Sequence, residues 1–150
     1  MILHHYTALE YLPKIMAEGL TRGEVPMTRT FCLNAVWFTT QTSPLGHELT
    51  DGRPLTLQEK ALLGLPPDSP HRFPNKRAVR ITVDLPPDAV TEWIPWARGR
   101  IDREWLRVVN KSGGGMVKAR SWYMSFNPIS PDLFLSVDML TESSAGRVVH

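Results

Sequence analysis

The chain has 150 residues, 42% of them hydrophobic and 21% charged, a balance that fits one globular domain around one core rather than two domains. A formal net charge of +2 excludes a general polyanion binder, and a single cysteine, Cys32, excludes an internal disulfide and a cysteine-built zinc site. No apolar run approaches the roughly 20 residues of a membrane helix, and the opening MILHHYTALE lacks the regions of a signal peptide, so a cytoplasmic protein without membrane contact is expected.

Residues 2–6 read as a short strand running into a helix. Thr7 and Glu10 carry the T-x-x-E pattern of a capping box, Leu9, Leu12, Ile15 and Met16 recur at helical spacing, and Gly19 is placed to close the helix. Pro13 fits only a first turn, so regular helix is expected from about Leu12. Residues 35–40, with Val36, Trp37 and Phe38, are the next strand. The proline-punctuated stretch 41–75 follows, interrupted by a small helix that Thr56 and Glu59 would cap; its length makes it a candidate lid or a plain insertion. Val79, Ile81, Val83 and Leu85 alternate with polar residues as a half-buried strand ended by Pro86. Ile101, Trp105, Val108 and Val109 share one face of a basic amphipathic helix in which Glu104 pairs with Arg107. Ser112 to Gly115 form a flexible turn that lacks the ending of a phosphate-binding loop. Residues 116–126 and 133–140 then read as two strands, and 141–150 as a frayed tail. Thirteen prolines, and strands and helices in no strict alternation, predict an α+β fold for residues 1–140, with two or three short helices.

Charge is unevenly placed. Between Arg72 and Arg120 there are eleven Lys or Arg against five Asp or Glu, a flank able to attract phosphates. His4 and His5 are adjacent, and strand alternation turns them to opposite faces, so both are not expected in one site. His47 and His71 stand alone in loops, and no metal site is expected. The five tryptophans, Trp37, Trp93, Trp96, Trp105 and Trp122, read first as core.

Taken together, the run from Leu3 to Leu20, a strand with H-x-T leading to a helix ending G-L, and the strand A-V-W-F-T-T from Ala35 resemble the NAD-binding half of the ADP-ribosyltransferase fold, including toxins that modify DNA bases. The resemblance covers about a third of the chain. It implies split antiparallel β-sheets with NAD in the cleft between them. His5 would anchor the nicotinamide-side ribose, with Tyr6 beside it and Thr7 as companion. Trp37 would pack by the nicotinamide, with Phe38 as the alternative if the register shifts by one. Arg22 or Arg29 would meet the pyrophosphate, and the ADP-ribose acceptor would be nucleic acid or protein.

The stretch from Arg120 to Phe134 resembles the late strand and turn of these transferases, but where they carry a catalytic glutamate this chain has Ser121. Cleaving the bond from nicotinamide to ribose develops positive charge on the sugar, and a carboxylate stabilises that charge where a serine does not. Three readings follow: an acid such as Glu92, Asp102 or Glu104 takes over; the chemistry is of the RNA 2′-phosphotransferase kind, using arginines such as Arg80 and Arg120; or the domain is a non-catalytic nucleotide-binding or interaction module.

Overall fold

A computed structural model of the chain describes residues 1–140. Six strands, β1 (Ile2–Thr7), β4 (Val36–Thr39), β5 (Val79–Asp84), β6 (Thr91–Glu92), β7 (Trp122–Ser125) and β8 (Phe134–Met139), form one antiparallel sheet in the order β6-β7-β4-β1-β5-β8. Strands β2 (Glu24–Pro26) and β3 (Cys32–Asn34) pair as a separate hairpin. The helices are α1 (Leu12–Glu18), α2 (Leu57–Leu62), α3 (Trp93–Ala97), α4 (Arg103–Ser112) and α5 (Met116–Ala119). The fold is α+β, as expected, and among the described residues no helix is long and apolar enough to cross a membrane. The expected tail lies outside the described residues.

Strand alternation gives each sheet face its own core. Leu3, Val36, Phe38, Val79, Ile81 and Val83 point to one side, where Leu20 and Ile129 cover them and Leu12 and Ile15 of α1 pack alongside. Met124 belongs to the other side, against Trp93, Ile94 and Ala97 of α3 and Ala119 of α5, with Trp37, Trp105 and Trp122 at its margin. Trp93 is fully buried, and its indole N–H finds the side-chain oxygen of Asn110 at 2.8 Å, which satisfies the polar end of the largest core residue.

The sheet is continuous in strand order but nearly open at one place. β1 pairs with β5 along its whole length, from Ile2 opposite Asp84 to Thr7 opposite Val79. Its pairing with β4 is confined to His4 opposite Thr39. The chain makes one six-stranded antiparallel sheet that parts between its two central strands, plus a two-stranded hairpin.

Several local expectations are met. The Thr56 and Glu59 capping box is formed in both directions, Asp102 caps α4 by accepting from Glu104 and Trp105 N–H, and Glu104 meets Arg107 at 3.5 Å. Pro13 sits in the first turn of α1, and Gly19, at φ 87°, closes it. The Thr7 and Glu10 cap is not formed, because Thr7 stays in β1 opposite Val79 and a 3-10 turn, Leu9–Tyr11, begins after Ala8 with no side-chain cap. Residues 116–126 are not one strand. Met116 and Ala119, three apart, both turn toward the second core, and that helical spacing makes α5 before β7 begins.

The glycine turn after α4 has a packing role. A side chain at Gly113 would overlap the Trp122 indole, and one at Gly114 would overlap the Gly46 carbonyl oxygen. The turn thus lets the start of the 41–75 stretch lie directly on it, while bridges between Asp51 and Asn75 and between Pro54 and Arg72 zip the remainder into an excursion with α2 at its tip. Gly114 and Gly64 both have positive φ, 109° and 69°, but nothing lies within 4 Å of a side chain at Gly64. Gly64→Ala should cost the left-handed penalty of about 1–2 kcal/mol. Gly114→Ala should add an overlap cost of about 1–3 kcal/mol, read by urea unfolding. Equal costs would show that the loop does not rest on the turn.

Candidate functional site

Where β1 and β4 part, a cleft of about 580 Å³ opens. The sheet contributes His4, His5, Tyr6, Trp37, Phe38, Thr39 and Trp122; the hairpin gives Glu24 and Pro26; the loop gives His47, Glu48 and Leu49; and the end of α4 gives Val109, Ser112 and Gly113. His4 and His5 both line it. The alternation argument that separated them assumes a closed sheet, and the split admits one cavity to both sides of β1.

His5 marks the split. With the ladder between β1 and β4 ended, the Trp37 carbonyl accepts a hydrogen bond from His5 Nδ1 at 2.7 Å. A carbonyl only accepts, so Nδ1 carries the proton and the neutral ring presents Nε2 as an acceptor. Burial holds the His5 pKa below its ordinary value, opposed by that carbonyl and assisted by the charge of Lys76. His4 is buried, with Nδ1 2.9 Å from Thr82 Oγ1, and burial followed by the charge of Arg80 lowers its pKa too, against the opposing pull of Asp138. Tyr6 donates its hydroxyl to the Gln41 carbonyl at 2.9 Å, and burial pushes its pKa up to about 12.

The register settles which aromatic ring stands by His5. Pairing of His4 with Thr39 puts Phe38, not Trp37, on the His5 face, and the two rings meet edge to face with centroids 6.0 Å apart. The Trp37 indole turns the other way, donates to the Glu24 carbonyl at 2.8 Å and packs edge-on against Trp93 and Trp122. Trp37 therefore lines the same cleft as His5 without pairing with its ring.

Other expected site residues lie elsewhere. Thr7 is buried at the end of β1, outside the lining. Ser121 is also outside it: Gln41 N–H donates to Thr39 Oγ1, the Thr39 and Ser121 hydroxyls meet at 2.7 Å, and Ser121 donates to the Lys118 carbonyl at 2.7 Å. That buried relay ties β4 to the turn before β7, a structural task. Arg22 is exposed and outside the lining of the cleft. Arg29 sits over the Trp105 ring at 5.2 Å in a separate depression of about 350 Å³, together with Asp102 and Glu104. Glu92 lies on the edge strand β6 beside Tyr123.

Among the described residues no lysine or arginine lines the cleft, and its acids are Glu24 and Glu48. Neither sits in a motif, so no local pattern singles them out. Glu48 is the sole non-glycine with positive φ among the described residues, at 56°. Such a conformation costs on the order of 1–3 kcal/mol and persists only where surroundings impose it, often at functional sites. Here the surroundings are a clamp. Lys118 Nζ bonds Gln41 Oε1 at 2.8 Å, Arg80 donates to the Thr42 carbonyl at 2.7 Å, and the Trp122 indole N–H donates to His47 Nδ1 at 2.9 Å.

Comparison of the chain with protein-family models, with curated proteins and with solved structures finds no match. Among the described residues no group of three or more His, Cys, Asp or Glu is placed to hold a metal ion.

Burial and the charge of Lys118 bring the His47 pKa down to about 4. The unfolded chain takes up this proton near pH 6.5 while the folded chain holds the ring neutral, so the unfolded state binds more protons between those values and stability rises with pH across them. His4 and His5, lowered in the same direction, act with the same sign. Glu59, lowered to about 2 chiefly by its hydrogen bond from Arg53, acts in a separate window below pH 4.5. Urea midpoints should fall as pH drops from about 6.5 toward 4, and less steeply in His47→Gln. Parallel curves for the two proteins would refute the assignment.

Proposed function

We propose that the cleft binds the nicotinamide riboside end of NAD and transfers ADP-ribose to a nucleic-acid or protein acceptor. The observation that carries the reading is the hydrogen bond from His5 Nδ1 to the Trp37 carbonyl at the sheet split, which leaves Nε2 as a fixed acceptor beside the Phe38 ring. A ribose hydroxyl donates to that nitrogen, and the pyridine ring packs among the aromatic side chains of the wall. A cleft lined by two acidic residues and, among the described residues, by no lysine or arginine suits the positively charged pyridinium and the oxocarbenium that follows. The pyrophosphate then lies outside, toward Lys76, whose charge acts on His5, rather than toward Arg22 or Arg29.

Glu48 takes the part that Ser121 does not fill. As the bond from ribose C1′ to the pyridine nitrogen breaks, its electron pair leaves with nicotinamide, and the Glu48 carboxylate stabilises the cationic sugar. The acceptor's nucleophilic atom then bonds to C1′, and its proton passes to the carboxylate. The phosphotransferase alternative loses its arginines: Arg80 is engaged by the Thr42 carbonyl and by Asp138, and Arg120 is exposed and off the cleft.

The test is release of nicotinamide from labelled NAD, with binding measured by calorimetry. Glu48→Gln should lower the release rate about a hundredfold with little change in NAD affinity. His5→Asn keeps a donor for the Trp37 carbonyl but removes Nε2, and it should weaken NAD about tenfold while the protein stays folded. His5→Ala should also destabilise the fold by about 1–3 kcal/mol, because it orphans that carbonyl. Absence of NAD binding, or release that both Glu48→Gln and His5→Asn leave intact, would defeat the reading.

A further inference from the structure

We infer that His47 is a second ligand-binding residue of the cleft, a fixed hydrogen-bond donor for a neutral carboxamide oxygen. The argument starts from the chemistry of its neighbour. An indole N–H only donates, so the 2.9 Å bond from Trp122 Nε1 makes His47 Nδ1 an acceptor and leaves the ring proton of the neutral imidazole on Nε2. That Nε2–H is buried and has no hydrogen-bond partner among the described residues. A buried donor left without an acceptor costs about as much as a lost hydrogen bond, and native proteins keep such groups where something else supplies the acceptor.

The surroundings hold this arrangement in place. The glycine at 113 lets the Trp122 indole lie against the turn, the glycine at 114 lets the Gly46 carbonyl do the same, and the left-handed Glu48 follows directly in the chain. Burial keeps the imidazole uncharged over the ordinary working range of pH, so its single proton stays on Nε2. The two cleft histidines are therefore complementary. His5 offers an acceptor nitrogen and His47 offers a donor, each fixed by a partner able to play only one role. A ligand meeting both presents a hydroxyl to one and a carbonyl oxygen to the other, without net negative charge at either place. This rests on the NAD reading above for the identity of the ligand, whose carboxamide is the matching oxygen, but the donor itself follows from the protein alone.

The experiment uses the 1–150 chain labelled with ¹⁵N, and nicotinamide, 3-methylpyridine and NAD as probes. Imidazole ¹⁵N shifts should show His47 as the Nε2–H tautomer and His5 as Nδ1–H, and nicotinamide should move the His47 Nε2 resonance. His47→Leu should weaken nicotinamide about tenfold, while His47→Gln, whose side-chain amide again offers N–H at the ε position, should stay within about threefold of wild type. Binding of 3-methylpyridine, which has no carboxamide, should be the same in all three proteins. An Nδ1–H tautomer at His47, or nicotinamide and NAD binding that His47→Leu leaves unchanged while His5 responds, overturns the inference and spares the NAD reading. Binding of nicotinamide that depends on His47 without any binding of NAD supports the inference and defeats that reading. Failure of wild type to bind either nicotinamide or NAD defeats both.

Discussion

The structure turns on one hydrogen-bond ladder that stops early. Antiparallel strands satisfy their backbone groups by pairing with each other, and a carbonyl at a place where pairing ends must find another donor or water. β1 and β4 pair at His4 and Thr39 and then separate, and the Trp37 carbonyl takes the imidazole of His5. That single substitution of side chain for backbone keeps a carbonyl satisfied, sets the tautomer of His5 and leaves room for a cavity in the middle of the sheet. A closed ladder would give a more regular sheet and no site.

Keeping the split open places demands on distant parts of the chain. The second wall is a loop segment, 46–49, that has no regular structure of its own and is held by side chains from α5, β5 and β7. Lys118, Arg80 and Trp122 each engage the loop or its approach, and the glycine turn after α4 gives up side chains so that loop and indole lie close. The buried hydroxyl relay through Thr39 and Ser121 fixes the point from which the loop leaves β4. These contacts join residues far apart in sequence, and together they support the left-handed conformation at Glu48.

The contrast explains what could be read from residues alone. β1, β4 and β5 were legible because alternating or β-branched residues are local signals, and the box at Thr56 and α4 were legible for the same reason. The hairpin β2–β3 and α3 were missed, since three-residue strands and a helix containing Pro95 carry weak periodicity. Thr7 and Glu10 matched a capping pattern whose threonine the sheet had already claimed. In the site, His5 and Phe38 were within reach of motif and alternation, but His47, Glu24 and Glu48 were not. They sit in loops or short strands, and only the tertiary fold brings them to the cleft.

The same point bears on the missing acid. An alignment by strand places Ser121 where a glutamate is expected, and a search for a substitute near it in sequence offers Glu92, Asp102 and Glu104. Electrostatic stabilisation has no such locality: it depends on the distance from a carboxylate to the developing charge and on how little water intervenes, not on which element carries the group. The buried hydroxyl of Ser121 is tied into its relay, and Glu92, Asp102 and Glu104 lie outside the lining of the cleft. The two acidic residues that do line the cleft come from the hairpin and from the loop, and Glu48 of the loop sits in a left-handed backbone conformation. On the proposed reading, moving the acid from the sheet to the loop leaves the strand free for a structural clip and makes the chemistry depend on the same clamp that positions His47.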